Sequence, residues 1–324
     1  MSILVTGATG FVGLHIARRL AATGQKVLAL DCDVPDVVAS NVFAAAGDNI
    51  RFVRGNVRDR VALRDLVENG GIRRIVHAAA VTPTADDERV NPTTVIDVNL
   101  NGTLNMLEAA RLCAVERFVF ISSTAVYGSP EGRVLPIQED QPLTINGIYT
   151  IAKQTSEHLC SRYADLYGMS TVVGRLGTAY GPLERPTGAR TRMSQVHALV
   201  HAALEGRTLT IAGADLPRDV CYVDDVAEAF VRLTLAEQLR WPVYNVSAGE
   251  AHSLRAIATA IATHVPGFTW HETDDAAHAD LVVMPASARG PLDLTRLRTD
   301  TDFSPVHPLS QGLRSYFDWL HASH

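Results

Sequence analysis

The chain carries no excess of positive charge: 29 Lys and Arg stand against 35 Asp and Glu in 324 residues, for a formal net charge of -6. That balance argues against a protein that grips nucleic-acid phosphates, which needs a basic face. No apolar run approaches the roughly 20 residues of a membrane-spanning helix. Cysteines are few. Cys32, Cys113, Cys160 and Cys221 are widely spaced in apolar or helical stretches, so neither a disulfide frame nor a zinc site is expected. The first residues run straight into a glycine loop with no basic n-region or cleavage site, so no signal peptide is expected and the protein reads as cytoplasmic. Repeats and low-complexity tracts are missing too. What is there, 47% hydrophobic and 20% charged, is an ordinary globular composition, long enough for one large domain or two modest ones.

Up to about residue 175, short β-branched runs (3–6, 27–31, 50–54, 74–78, 117–122 and 170–175) alternate with helical spacing at 11–22, 60–69, 95–114 and 149–167. Gly24 and Gly168 follow the first and last of these helices, where a terminating glycine belongs. Parallel neighbours need a crossover, so the pattern predicts an α/β fold with a doubly wound parallel sheet covered on both faces. The strands are almost wholly apolar, as doubly buried strands should be. Past Gly181-Pro182 the texture changes to a polar stretch (183–192), a helix near 193–204, a strand at 208–212 and a helix from Asp224. The expected division is a dinucleotide-binding domain over 1–177 and a mainly substrate-binding, smaller C-terminal α/β domain over 178–324, with segments near 220–247 returning to the first.

Gly7-Ala8-Thr9-Gly10-Phe11-Val12-Gly13 lies between the first strand and the first helix. Glycines there permit a tight turn and backbone approach to a pyrophosphate, while the helix start supplies N–H donors. A glycine triplet alone is equally a plain βα turn. The context decides, because Asp31 ends the second strand, where a carboxylate accepts bonds from the adenosine ribose hydroxyls. It also repels a 2′-phosphate, and Cys32 offers no arginine in compensation, which favours NAD over NADP.

Tyr149 and Lys153 are four residues apart and share one helix face. A phenol is a poor base until its pKa falls by about three units, roughly 4 kcal/mol. An ammonium about 4 Å away supplies about that much at an effective dielectric near 20. The oxidised nicotinamide would add to it. On its own the pair could be an exposed Tyr and Lys packing over a turn. The strand 118–121 ends in Ser122-Ser123-Thr124, at the carboxyl edge where open α/β sheets bind ligands. Ser123 or Thr124 can hold a substrate oxygen beside Tyr149, while another of these hydroxyls caps the strand.

These residues give the chain a specific likeness. It resembles the extended short-chain dehydrogenase/reductase family, NAD-dependent epimerase/dehydratase group, typified by UDP-glucose 4-epimerase. The likeness rests on the Gly7–Gly13 loop, Gly55-Asn56-Val57, His77-Ala78-Ala79-Ala80, Asn99-Leu100-Asn101-Gly102-Thr103, Ser122 to Gly128, Tyr149/Lys153, Arg175 to Pro182, Arg218-Asp219 with Tyr222-Val223-Asp224-Asp225, and Val243-Tyr244-Asn245. It implies a Rossmann-type sheet with a smaller substrate domain, bound NAD and a homodimer built on helices like 95–114 and 149–167. Tyr149 is then the acid/base, Lys153 its electrostatic partner and a ribose ligand, and Ser123 the catalytic hydroxyl. Gly7, Thr9, Gly10, Phe11, Val12, Gly13 and Asp31 would hold the cofactor. Asn56 and Val57 would flank the adenine, Ala78, Ala79 and Ala80 would line the cofactor, and Asn99 would touch it while bracing the catalytic helix. Thr82, Ser123, Thr124, Tyr149 and Thr178 would face the substrate.

Related dehydratases follow the catalytic hydroxyl with Asp-Glu, and decarboxylases keep a glutamate; here Thr124-Ala125 follows, which disfavours both reactions. Two readings remain. An epimerase oxidises a sugar carbon and returns the hydride to the other face, most simply on a nucleotide sugar. A dehydrogenase of a sugar, sugar acid or other hydroxy acid releases NADH. Arg218 suits a diphosphate through bidentate contacts, unless it pairs with Asp219 or Asp225. Arg185, Arg190 and Arg192 in the basic loop could grip a diphosphate or a sugar-acid carboxylate, or be merely solvated. Thr178 stands where the family usually has asparagine, which weakens the nucleotide-sugar assignment. The epimerase reading is preferred. A sensor that keeps cofactor without chemistry is disfavoured by the intact Ser123, Tyr149 and Lys153. His197 and His201 lack a third ligand and are expected to face solvent, so no metal is implied. Asp36, Asp48, Asp86 and Asp87 are expected to be loop charges.

Overall fold

The structure, a computed structural model, describes residues 2–322. The chain opens with β1 (Ser2–Thr6), α1 (Phe11–Ala22), β2 (Lys26–Asp31), α2 (Val37–Ala46), β3 (Ile50–Arg54), α3 (Arg60–Asn69) and β4 (Ile72–His77). Short helices α4 (Ala85–Val90) and α5 (Pro92–Ile96) lead through a π turn (Asp97–Asn101) into α6 (Gly102–Leu112). Then come β5 (Arg117–Ser123), α7 (Ile148–Tyr167) and β6 (Thr171–Leu176). The remainder runs β7 (Thr178–Tyr180), α8 (Gln195–Leu204), β8 (Leu209–Ala212), β9 (Pro217–Arg218), β10 (Val220–Tyr222), α9 (Val223–Leu235) and β11 (Val243–Val246). It ends with β12 (His252–Ser253), α10 (Leu254–Ala262), β13 (Trp270–Thr273), β14 (Leu281–Val282), α11 (Thr295–Thr301) and α12 (Leu309–Ala322).

Seven parallel strands form the main sheet in the order β11-β6-β5-β4-β1-β2-β3. Leu4, Val5, Val76, Val119 and Phe120 are buried because helices cover both faces. On one side Leu14 and Ile16 of α1 pack with Val226 and Phe230 of α9. On the other lie Leu63 of α3, Met106 and Leu107 of α6, and Cys160 of α7. A second core joins Leu199 and Val200 of α8, Ile257 and Ile261 of α10, and Leu313 and Phe317 of α12 around the small β13-β8-β14 sheet.

Three local features depart from the sequence reading. Helix α2 was not anticipated, because it buries only Ala39 and Phe43 and so shows no clear helical period. Asp36 is its N-cap, accepting from the Ala39 N–H, and is not a loose loop charge. Asp86 and Asp87 likewise lie inside α4, where Asp87 completes a capping box with Thr84. The single helix expected over 95–114 is interrupted by the π turn. The turn carries the buried Asn99, whose amide exchanges two hydrogen bonds with the Val81 backbone, at 2.8 and 2.9 Å.

Behind β5 and β6 a buried ionic cluster ties the layers. Arg175 reaches both oxygens of Glu157 (2.7 and 3.1 Å) and donates to the Tyr127 hydroxyl and the Glu139 carbonyl, while the Ser122 hydroxyl donates to Glu157. Removing one member of such a pair strands the other charge in the interior. Arg175→Met is therefore expected to lower unfolding free energy by about 3–5 kcal/mol in urea titration.

Candidate active site

The sheet order reverses direction between β1 and β4, and a cavity of about 860 Å³ opens at the carboxyl ends of these strands. Its floor is the glycine loop. Gly7 has φ +65°, and a Cβ there would lie 2.8 Å from the Ala79 backbone. A Cβ at Gly13 would lie 2.1 Å from the Gly7 carbonyl oxygen, so neither position admits a side chain. Gly10 caps α1, whose first turn faces the cavity. Asp31 accepts from the Thr9 N–H at 2.9 Å. This bare backbone, with a helix N-terminus above it and a carboxylate beside it, fits a dinucleotide.

The cavity is lined by Gly7, Thr9, Gly10, Phe11, Val12 and Gly13, by Asp31, by Asn56 and Val57, and by Ala78, Ala79, Ala80 and Thr82. Ser123, Tyr149, Lys153, Thr178, Arg192 and Arg218 complete the set that the structure brings together. Three residues of the sequence reading stand elsewhere. Asn99 lies behind the wall, bracing Val81 and accepting at its carbonyl from Ser156 of α7. Thr124 is buried in the turn after β5 and does not line the cavity, so its assignment to substrate is corrected. Arg185 is corrected likewise: its guanidinium is spent on Asp36 (2.6 and 2.9 Å) and the Thr9 carbonyl (3.0 Å).

Tyr149 lies in the first turn of α7 and shares the cavity lining with Ser123 at the end of β5. Burial pushes the phenol above its ordinary value, opposed by the Ser123 hydroxyl and by the charge of Arg190. Lys153, one turn on, is 4% exposed and donates to the Ile121 carbonyl at 2.8 Å, with its Nζ 5.8 Å from the Tyr149 ring centroid. Burial pulls it down to about 8, against the raising effect of Glu157. The sequence reading set Lys153 about 4 Å from the phenol and let it supply most of the lowering. In the folded chain the ammonium is anchored to backbone, and the protein alone leaves the phenol high. A cationic ring in the cavity would complete the balance.

The cavity lining also holds a second charged group. Arg218 donates to the Ser287 carbonyl, while its buried Nε has no hydrogen-bond partner. It does not pair with Asp225, which holds His307 at 2.8 Å. Asp219 binds the Ser247 hydroxyl and is pushed up to about 7 by burial. Arg289 is buried nearby and pulled down to about 10, by burial first and then by Arg218. Burial depresses Arg218, with Arg192 adding to it and Asp219 opposing it. A buried guanidinium with a free Nε on the cavity wall suits an anion.

Sequence reasoning missed Arg289, which no recognised motif marks, and Glu88, whose carboxylate accepts from the Tyr149 N–H at 2.9 Å. Arg190 was noted but given no partner. It binds buried Glu184 at 2.6 Å and stacks 5.4 Å over the Phe11 ring. His197 and His201 are not solvent-facing; their rings stack at 4.0 Å, and burial pulls His197 down to about 4.

A parallel sheet whose switch point gathers a glycine loop, an acid on β2 and a Ser-Tyr-Lys set defines a dinucleotide-dependent enzyme acting on an alcohol or ketone. A family model described as the NAD dependent epimerase/dehydratase family matches residues 3–247, and the chain belongs to that family. It is 33% identical to the UDP-glucose 4-epimerase of Mycolicibacterium smegmatis, with 97% of this chain and 96% of that one covered. It is 28% identical to a probable UDP-glucuronate 4-epimerase of Rhizobium meliloti, covering 98% and 96%. Among solved structures, the Thermus thermophilus UDP-glucose 4-epimerase in complex with NAD matches over 100% of both chains, at 28% identity and TM-score 0.83.

Lys153 gives a direct electrostatic test. Its folded value of about 8 lies below the ordinary 10.5, so the unfolded chain binds the extra proton between these pH values. Stability from this group is lost as pH falls through that window. Lys153→Met should abolish turnover. From pH 10.5 to pH 7, its unfolding free energy should shift by about 3 kcal/mol in its favour relative to wild type, read by denaturant titration at both pH values.

Proposed function

We propose that the protein is a NAD-dependent epimerase that inverts a secondary alcohol of a nucleotide sugar, at C4 as in the 4-epimerases it is similar to. The observation that carries this reading is a single cavity whose lining joins Ser123, Tyr149 and Lys153 with Arg192 and with Arg218, whose buried Nε is unpartnered. Arg218, backed by Arg289, takes the diphosphate, which puts the sugar against Tyr149. Asp31 takes the adenosine ribose; Asn56 and Val57 flank the adenine; Gly7, Thr9, Gly10, Phe11, Val12 and Gly13 receive the pyrophosphate; Ala78, Ala79 and Ala80 form the wall beside it. Held there, NAD would supply the hydride acceptor and donor for the sugar carbon. Ser123 holds the sugar oxygen. Tyr149 removes the hydroxyl proton as the ketone forms and restores it afterwards, while Lys153 keeps positive charge beneath the pair. Thr82 and Thr178 meet the sugar.

Beside Ser123 stand the buried Thr124 and Ala125, and neither offers the carboxylate that expelling water or carbon dioxide calls for. The 4-epimerase relatives favour an internal hydride return over net release of NADH. The cofactor domain is taken as 1–177 and the mainly substrate-binding domain as 178–324, with β11 lending its strand to the first. Exposed Leu104, Leu112, Ile151, Leu166 and Tyr167 on α6 and α7 support a homodimer through these helices. Four unpaired thiols suit a cytoplasmic enzyme.

The test is incubation with UDP-glucose and UDP-glucuronate, with and without added NAD, following sugar epimers and absorbance of NADH together. Epimer without net NADH is expected; stoichiometric NADH would sink the proposal. Tyr149→Phe should cut turnover roughly 10³-fold. Arg218→Leu should raise KM for the nucleotide sugar about tenfold, with a smaller change in kcat.

A further inference from the structure

Residues 182–192 run along the cavity as a strap that links its β2 and β4 banks, and several contacts fix their course. His15 of α1 meets the Pro182 carbonyl at 2.9 Å. Thr187 and Arg190 close a tight turn with reciprocal backbone bonds of 2.9 and 3.2 Å. The tip touches both banks. Gly188 lies so close to Asp33 after β2 that a Cβ would fall 2.5 Å from its carboxylate, and the Ala189 carbonyl accepts from the Thr82 N–H after β4. Thr187, Ala189 and Arg190 face into the cavity beneath.

Between the anchored start and the tip stands Arg185. Its Nε and Nη2 bind both oxygens of Asp36, at 2.6 and 2.9 Å, and Nη2 also donates to the Thr9 carbonyl at 3.0 Å. Thr9 is thereby held from both sides, its N–H on Asp31 and its carbonyl on Arg185. One guanidinium thus joins the strap, the N-cap of α2 and the glycine loop.

We propose that Arg185 is a positioning residue that latches residues 182–192 over the cofactor cleft and keeps NAD bound between the two hydride transfers. This rests on the epimerase reading, in which the cofactor is reoxidised without leaving. A bidentate guanidinium–carboxylate pair suits the task because it is directional. The Arg185 side chain is 14% exposed, which shields the pair, while Asp36 at 47% leaves it able to open. The strap must part for cofactor to leave, because it crosses from the β2 bank to the β4 bank above the glycine loop.

The experiment is NAD release from the purified, NAD-loaded protein, by rapid filtration after dilution into excess labelled NAD. The proteins compared are wild type, Arg185→Gln, Asp36→Asn and the double variant. Asp36→Asn keeps a good helix cap and removes only the charge, so it decides the matter even if Arg185→Gln fails to fold. Both single variants should release NAD faster, about tenfold for Arg185→Gln, and the double variant no faster than Arg185→Gln, since the ion pair is already broken in each single variant. Release at the wild-type rate in both single variants, with a raised KM for the sugar in Arg185→Gln alone, would overturn the latch and return Arg185 to the substrate. So would additive effects in the double variant. Net NADH from wild type would reject the epimerase reading, and the release rates would still report on the latch.

Discussion

The distance between residues 7 and 13 governs the rest of this molecule. The Gly7 carbonyl occupies the space a Cβ of residue 13 would need, and Gly7 itself abuts the backbone of Ala79. That double approach lets α1 start at Phe11 directly over the end of β1 and draws the β4 loop in beside it. Helix dipole, bare backbone and Asp31 then share one small volume. Thr6 extends the constraint sideways: its hydroxyl binds the Ala79 N–H and the ring of His77, which burial and the charge of Lys153 pull down to about 3. His77 therefore sits neutral under the cavity wall, a spacer that adds no charge beside Lys153.

A second constraint is the cost of burying charge. Lys153 lies in a setting that disfavours its ammonium, and Glu157, one turn further along α7, offsets the penalty. Glu157 in turn is gripped by Arg175, so a chain of alternating signs runs from the cavity into the interior. Each charge is tolerated because its neighbour is fixed, and the neighbours are fixed by strands β5 and β6. Sheet and site are thus one electrostatic object.

Much of this was legible in the sequence. Residues 11–22 and 60–69 form helices with the boundaries their apolar spacing predicts, because those faces bury against the sheet and carry its period. The glycine loop and the Tyr149/Lys153 pair declare themselves because rigid local geometry fixes their spacing. Long-range pairing was not legible. Arg185 lies 149 residues from Asp36, and nothing near either says that a basic loop residue will be consumed by a helix cap. Thr124 failed for a subtler reason: three hydroxyls in succession look alike in sequence, while the turn after β5 sends Ser123 into the cavity and buries Thr124. Glu88 and Arg289 were invisible because their importance comes wholly from what folds against them.

Position 177 links two parts of the molecule that would otherwise be free to diverge. A Cβ on Gly177 would fall 2.4 Å from a carboxylate oxygen of Asp219, an oxygen that has no hydrogen-bond partner of its own. The acid among the arginines occupies the room that a missing side chain leaves behind the cavity wall. Neither residue can drift alone. A side chain at 177 would press on the carboxylate at 219, the acid that lies beside Arg218 and Arg289.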